Sequence, residues 1–299
     1  MKKLLYFFIV FLLQFGLNAQ TTINATGGEA TGSNGQISFS VGEIVYTTMN
    51  NSSYSIAQGI QQPYIPPFNY TVSATNNAIC SGTAVTLSVN LPATYPQGTV
   101  HCSGTPTAVV DVTNPVTGKT WMDRNLGASQ VATSSTDAAA YGDLYQWGRA
   151  ADGHQCRNSA TTTAMSSTDQ PGNSNFILTS SLPFDWRNPQ NTNLWQGENG
   201  VNNPCPSGYR IPTETEMNEE RSSWQGVNSS GAFLSACKFS LSGFHAYNTG
   251  SIDLVDTYGL YWSSTISGIR TRYLRIRSAD AIMIDSIRGN GYSVRCIKH

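Results

Sequence analysis

A short stretch in the second half of the chain, residues 203–224, most constrains how the protein folds. The segment before the predicted helix is extended and ends at Pro212. Thr213 is followed three residues later by Glu216. This spacing predicts a capping box, in which the threonine hydroxyl accepts a hydrogen bond from the third helical N–H and the glutamate accepts one from the threonine N–H. Because proline disfavours a helical conformation in the preceding Ile211, the sequence predicts a helix that begins abruptly after Pro212.

The first twenty residues have the pattern of a secretory signal peptide. Two lysines precede an apolar run from Leu4 to Leu13, and Ala19 places a small residue before Gln20. The apolar run is too short for a membrane span. We therefore predict cleavage after Ala19 and a secreted or cell-surface protein without a membrane span.

The composition excludes one class of partner and favours one class of fold. Only 12% of the residues are charged and the formal net charge is -1, whereas a nucleic-acid-binding protein carries a basic excess. Gly, Ser, Thr and Asn are abundant, and apolar residues rarely recur at helical spacing. We therefore expect no nucleic-acid partner, and a fold of strands and loops rather than a helical bundle.

Residues 20–66 have the pattern of a small β unit. Ile37, Phe39 and Val41 alternate with small residues, which is typical of a half-buried strand. Residues 43–48 and 54–60 predict two further short strands joined by a turn. The segment resembles an N-terminal region of many exported proteins of the Bacteroidetes.

Residues 67–105 predict a linker followed by a shortened domain. Prolines at positions 63, 66 and 67 mark the linker, and residues 71–73 and 84–89 are strand candidates. The stretch that begins at Cys80 resembles the opening strand of bacterial immunoglobulin-like modules. It ends after about thirty residues, where a complete module needs about a hundred. We interpret it as a remnant of such a module.

Residues 106–299 form the main predicted domain. Residues 108–122 predict a hairpin, and the closing strands are expected at the segments 260–264, 272–277, 281–284 and 291–298. In the last segment Tyr292, Val294 and Cys296 share one face. A long polar loop with aromatic anchors lies between residues 148 and 200. A loop of that length in a compact domain is usually functional, or is ordered by such anchors.

Five segments of this domain carry a family resemblance. They are residues 112–128, residues 140–149, Pro204-Cys-Pro-Ser-Gly-Tyr-Arg-Ile-Pro-Thr213, Tyr261-Trp-Ser-Ser264 and residues 291–298. Together they closely resemble the Fibrobacter succinogenes major paralogous domain, a family of exported bacterial modules. The chain departs from the family at Met217, where members usually carry Trp, and a flexible thioether can fill the same core space.

A more remote resemblance implies a fold. Gly208-Tyr-Arg-Ile-Pro-Thr213, followed by Tyr-Trp-Ser-Ser, resembles the Gly-Trp-Arg-Leu-Pro-Thr motif of the formylglycine-generating enzyme family. That family has a C-type-lectin-like core of short helices packed on twisted antiparallel strands, with much irregular loop. The resemblance implies an α+β, loop-rich, C-type-lectin-like domain, preceded here by small all-β segments.

The cysteines of an exported chain favour disulfides over free thiols. The resemblance implies that Cys205 pairs with Cys296. The loop between them spans 296 − 205 = 91 residues. In the chain-entropy model, closing a loop of this length stabilises the fold by roughly 4 to 5 kcal/mol.

The remaining cysteines leave alternatives open. Cys102 could pair with Cys156, which would tie the start of the main domain to its long loop. It could instead pair with Cys80, which would close the immunoglobulin-like remnant. Cys237 lies in the apolar sequence Phe-Leu-Ser-Ala-Cys-Lys-Phe, and we expect it to be buried and unpaired.

The sequence carries no motif for a common catalytic chemistry, neither HExxH nor paired CxxC nor GxSxG. The oxidases of the formylglycine-generating family bind copper through two nearby reactive cysteines, and this chain has no such pair. The cluster of Glu214, Glu216, Glu219 and Glu220 suits the first turns of a helix, where acidic side chains favour the helix dipole. The histidines are scattered, and a complete calcium-lectin motif is absent. We predict a protein that is not an enzyme and that holds no cofactor or metal.

Two sets of residues are candidate ligand contacts. Trp147, Trp186 and Trp195 either stack on sugar rings or pack the long loop onto the core. Arg275 and Arg277 alternate on a predicted strand within residues 256–299, where basic side chains outnumber acidic ones by 7 − 3 = +4. They form either a solvated strand face or a contact to an acidic glycan or protein.

These observations lead us to expect an exported, non-catalytic module that binds a glycan or a surface protein. Two alternatives stay open. One is an enzyme on a diverged formylglycine-generating scaffold, and the other is a structural surface component.

Overall fold

The computed structural model divides into two compact units, Met1–Asn90 and Leu91–His299. In the first unit it describes residues 26–32, 35–41, 47–50, 55–58, 71–74 and 87–90, and in the second it describes residues 93–299. The predicted signal peptide, the proline linker and Cys80 lie outside the described residues. Within the described residues, no helix has the length and apolar character that a membrane crossing requires.

The described part of the first unit consists of three antiparallel strand pairs. The strands are β1 Thr26–Gly32, β2 Gly35–Val41, β3 Thr47–Asn50, β4 Ser55–Gln58, β5 Thr71–Ala74 and β6 Leu87–Asn90. The alternating segment 37–41 lies in β2, as predicted. The two strand candidates of the immunoglobulin-like remnant pair with each other as β5 and β6.

The second unit is strand-rich with two short helices, which makes it an α+β structure. Its strands are β7 Asp111–Thr113, β8 Thr120–Met122, β9 Tyr145–Gln146, β10 Thr161–Thr162, β11 Phe176–Ile177, β12 Tyr209–Arg210, β13 Phe244–His245, β14 Ile252–Asp253, β15 Gly259–Ser267, β16 Arg270–Ile276, β17 Ala281–Ser286, β18 Gly291–Tyr292 and β19 Ile297–Lys298. The helices are α1 Glu214–Ser222 and α2 Ser229–Leu234, and Ala138–Ala140 form a single 3-10 turn.

Three sheets organise this unit. Their strand orders are β12-β19-β8-β7, β14-β13-β18-β9 and β15-β16-β17, and all the pairings within them are antiparallel. The predicted long loop contributes only β10 and β11, which pair in parallel. Regular structure is therefore concentrated at the two ends of the unit, and the middle is irregular chain.

The segments that carry the family resemblance become neighbours in space. The last strand, β19, pairs with both β12 and β8, and β18 pairs with β9. Tyr261 in β15 forms a further bridge with Ser293. Each of the five segments therefore lies in or beside a strand that hydrogen-bonds to another of them.

The capping box predicted from the sequence is present at the start of α1. The hydroxyl of Thr213 accepts a hydrogen bond from the Glu216 N–H at 3.3 Å, and the Thr213 N–H donates to Oε2 of Glu216 at 2.8 Å. Arg210 also donates two hydrogen bonds to the same carboxylate, at 2.8 and 2.7 Å. Met217 is fully buried in one core cluster.

The second unit begins at Leu91, although the sequence placed the start of the main domain at Pro106. Residues 93–105 had been assigned to the linker and the remnant. In the structure Thr94 exchanges hydrogen bonds with Ser207, at 2.8 and 2.9 Å, and the N–H of Val100 donates to the carbonyl of Ala151 at 2.7 Å. These anchors are backbone hydrogen bonds to distant segments, which leave no hydrophobic pattern in the sequence.

Candidate functional site

The described cysteines form two disulfides. Cys205 is bonded to Cys296 and Cys102 to Cys156. The second bond excludes the alternative pairing of Cys102 with Cys80. Cys237 is free and buried, as expected from its apolar surroundings. The Cys205–Cys296 disulfide joins the segment that precedes α1 to the C-terminal segment. Both of its cysteines lie in the main core cluster.

The three candidate tryptophans are buried, with exposed fractions of 1% for Trp147, 1% for Trp186 and 0% for Trp195. The indole N–H of Trp147 donates to Ser263 at 2.9 Å, and that of Trp186 donates to the Trp147 carbonyl at 2.7 Å. The guanidinium of Arg288 lies 4.7 Å from the Trp147 ring centroid. A stacked sugar needs an open ring face, so the stacking interpretation of these residues is not supported. They anchor the long loop to the core.

The candidate arginines share one carboxylate. Arg277 lies 2.6 Å from Asp280 and Arg275 lies 3.3 Å from it. Other basic side chains near the C-terminus are paired with carboxylates from outside residues 256–299. Arg272 pairs with Glu214, Arg288 with Asp185 and Lys298 with Asp111. The excess of +4 counted along the sequence is therefore largely neutralised in space.

A cleft of about 500 Å³ has Arg275 and five aromatic side chains in its lining. We call it the tyrosine cleft, and its aromatic residues are Phe244, Tyr247, Tyr258, Tyr273 and Tyr292. Its polar residues include Asn248, Asp253, Arg275 and Asn290. The cleft is built from β13, the β13–β14 turn, the loop before β15, β16 and the start of β18. Apolar walls with a few convergent polar groups are the usual make-up of a small-molecule site.

The floor of the cleft is a rigid aromatic cluster. Tyr292 and Tyr273 are nearly buried, their ring centroids are 4.7 Å apart, and Trp262 packs beneath Tyr292 at 4.3 Å. Asn290 donates to the Tyr292 hydroxyl at 3.1 Å and accepts a hydrogen bond from the Tyr247 N–H at 3.2 Å. Burial raises the pKa of both Tyr273 and Tyr292, so both hydroxyls are protonated at neutral pH. The floor is therefore a packed, uncharged aromatic base, in which the Tyr292 hydroxyl already has protein partners in Asn290 and Ser286.

The wall and rim are more exposed than the floor. Gly250, with φ of +72°, closes the β13–β14 turn in a conformation that other residues rarely adopt. Leu254 on the rim also has a positive φ of 58°, which is uncommon for a leucine and typical of positions constrained by function. The carboxylate of Asp253 accepts a hydrogen bond from the Ser251 hydroxyl at 2.9 Å. Nε of Arg275 is buried and has no hydrogen-bond partner among the described residues.

Asp143 also has a shifted pKa, and it does not line the tyrosine cleft. Burial raises the pKa of Asp143 to about 7, against the opposing effect of the Arg157 charge. The carboxyl group borders a cavity of about 10 Å³, which His101 and Thr107 also line. A cavity of this size has room for about one water molecule, so it is too small for a substrate. Within the described residues, no group of three or more His, Cys, Asp or Glu side chains could hold a metal ion.

The sequence did not identify the tyrosine cleft. Of its aromatic residues, only Tyr292 had been singled out, and then as a residue that shares one strand face with Val294 and Cys296. The one available signal is the number of aromatic residues between positions 244 and 292. Their convergence depends on the pairing of β13 with β18 and on the register of β16, which no local pattern reveals. No family model, curated protein or solved structure matches the chain.

Proposed function

We propose that the protein is an exported, non-catalytic binding module that holds a saccharide in the tyrosine cleft. The observation that carries this proposal is the combination of the half-buried aromatic side chains of Phe244, Tyr247 and Tyr258 with amide, carboxylate and guanidinium groups in one cleft of about 500 Å³. Sugar rings present apolar C–H faces and many hydroxyls, and this lining is complementary to both. The hydrogen bonds of Asn290 hold the floor in place before a ligand binds, which lowers the entropic cost of binding.

The charges of the cleft favour a neutral sugar. Asp253 brings one negative charge to the lining and Arg275 one positive charge, and Asp280 partly compensates the guanidinium. An acidic glycan would need an uncompensated basic group. The Asp253 carboxylate can accept hydrogen bonds from sugar hydroxyls, and the Arg275 guanidinium can donate hydrogen bonds to them.

The same lining argues for binding rather than hydrolysis. Most glycoside hydrolases use two carboxyl groups on either side of the bond that they break. Among the residues that line the tyrosine cleft, Asp253 is the one carboxylate, and histidine is absent from the set. The cleft thus lacks the pair of groups that acid–base chemistry on a glycosidic bond requires.

We also propose a family and a finer fold for the second unit. We assign the second unit to the Fibrobacter succinogenes major paralogous domain family, with a C-type-lectin-like fold. The assignment is supported by the sequence motifs and by the mutual strand pairing of the segments that carry them. The two disulfides of the described residues are compatible with an extracellular location.

A binding experiment tests the proposal. The chain from Gln20 onward is screened on an array of neutral and acidic glycans, and hits are measured by titration calorimetry. Tyr258→Ala on the wall should weaken binding about tenfold or more, which corresponds to about 1.4 kcal/mol or more. Asn248→Ala should also weaken binding, whereas Asn158→Ala, at an exposed position outside the cleft, is the matched control. Retention of no glycan, or equal binding by Tyr258→Ala and the control, would refute the proposal.

A further inference from the structure

A second cleft of about 350 Å³ adjoins the tyrosine cleft. We call it the loop cleft, because most of its lining comes from the long loop that precedes α1. The loop residues include Met165, Leu178, Thr179 and Phe184. Both clefts have volumes within the range of roughly 300 to 1,000 Å³ that ligand sites occupy. Apart from Tyr247 and Asn248, the residues that line the loop cleft do not line the tyrosine cleft.

The two clefts meet at the β13–β14 turn. Tyr247 and Asn248 line both of them, so only this turn separates one cleft from the other. Asn248 is exposed, and its amide carries donors and acceptors for ligands on either side. The Thr179 N–H donates to the Tyr247 carbonyl at 2.9 Å, which ties the loop cleft to the same turn. The clefts therefore form one groove with a fixed relative position.

The loop cleft has features of a built subsite. Phe184 has φ of 56°, a conformation rare for a phenylalanine, and its ring packs edge-on against Tyr247 at 5.3 Å. The Phe184 carbonyl accepts a hydrogen bond from the Gly289 N–H at 2.9 Å, which secures this backbone conformation. Thr179 is only 2% exposed, and its hydroxyl has no hydrogen-bond partner among the described residues. That hydroxyl is shielded from solvent and lies toward Gly289 rather than toward the cleft, whereas Thr163 lines the cleft, is exposed and carries a hydroxyl that can bind a ligand.

We infer that the groove takes an internal stretch of a neutral, linear saccharide, with one part of the chain in the tyrosine cleft and the next in the loop cleft across Tyr247. This inference rests on the proposed function. The lining of the loop cleft contains no Asp, Glu, Lys, Arg or His, which agrees with the balanced charge of the tyrosine cleft and disfavours an anionic ligand. The rim residues Met165, Asn248 and Thr249 are exposed, so the groove is open to a ligand that continues beyond it.

The test uses chain length as its variable. Titration calorimetry is performed on the chain from Gln20 with gluco-, manno- and xylo-oligosaccharides of one to six units. Affinity should rise with length until both clefts are filled, by about tenfold or more between the shortest and the longest ligand. Thr163→Ala and Met165→Ala should abolish most of this rise and leave the affinity for the shortest bound ligand unchanged. Leu182→Ala, at an exposed position in the same loop, is the matched control for Met165→Ala.

The outcomes separate this inference from the proposal on which it rests. If Tyr258→Ala weakens binding but affinity is independent of chain length, the tyrosine cleft binds sugar alone and the inference is overturned. Equal losses for all ligand lengths in Met165→Ala would overturn it as well. If none of the oligosaccharides or array glycans binds, both ideas fail. Because Thr163 and Met165 are exposed, both variants should have the thermal stability of the wild type without ligand, which distinguishes a lost ligand contact from misfolding.

Discussion

Removal of the Cys205–Cys296 disulfide should destabilise the second unit by about 4.6 kcal/mol. The bridge closes a loop of 91 residues. In the chain-entropy model this closure removes about 15 cal/mol/K from the unfolded ensemble, which is about 4.6 kcal/mol at 25 °C. Both cysteines are buried in the main core cluster, so substitution by alanine also removes a little packing. The loss is comparable with the whole stability of many domains.

The two cysteines act as one unit, so their substitutions should not add. Cys205→Ala and Cys296→Ala should each lose a similar free energy of unfolding, and the double variant should lose little more. The coupling energy of this double-mutant cycle should therefore be close to the loss of one single variant. Urea unfolding followed by tryptophan fluorescence is a suitable assay, because all six tryptophans lie in the second unit. The reasoning is refuted if the single losses are additive, or if each is under about 1 kcal/mol.

Two further predictions concern carboxylates whose pKa the fold shifts. Burial raises the pKa of Glu216, but hydrogen bonds from Arg210 and Thr213 outweigh it and lower the pKa from 4.5 to about 2. This stabilisation is complete above pH 4.5 and is lost as the pH falls towards 2, so Glu216→Gln should cost roughly 2 to 3 kcal/mol at pH 7 and flatten the acid limb of the stability curve. Burial raises the pKa of Asp143 from 3.8 to about 7, so the folded state holds its proton more tightly than the unfolded state. Stability should therefore fall as the pH rises from 4 to 7, and Asp143→Asn should abolish this fall and be roughly 3 to 4 kcal/mol more stable at pH 8.

Urea midpoints measured at a series of pH values check both predictions. Glu219→Gln on the exposed side of α1 is the control for Glu216→Gln. A wild-type pH profile that persists in Asp143→Asn would show that another group titrates in this range. If the urea midpoint of Glu216→Gln falls at acidic pH as it does in the wild type, the capping box contributes little to stability.

Features that depend on neighbours in sequence were predictable. The capping box of Thr213 and Glu216 requires only a three-residue spacing, and it is present at the start of α1. The closing strands were also expected close to where β15, β16 and β17 lie, because their apolar and β-branched residues form local patterns. Tyr292, Val294 and Cys296 were expected to share one face because of their period-two spacing, and all three are buried.

Features that depend on distant partners were not predictable in the same way. The basic residues near the C-terminus looked unpaired, because Asp111, Asp185 and Glu214 lie far from them in sequence. The tryptophans of the long loop could have been ligand contacts or anchors on sequence evidence alone. Their burial depends on partners such as the Ser263 carbonyl, 116 residues from Trp147.

The sequence by itself determined short-range features of this protein: the start of α1 and the strand-forming segments near its C-terminus. The tertiary structure alone decided where the tyrosine cleft lies. The register of β16 against β15 and the pairing of β13 with β18 bring aromatic residues separated by up to 48 positions, from Phe244 to Tyr292, into one cleft. Periodicity in a sequence reports which face of an element is buried, but not which other element lies opposite that face. A site made of several short strands and turns therefore becomes visible only when the chain is folded.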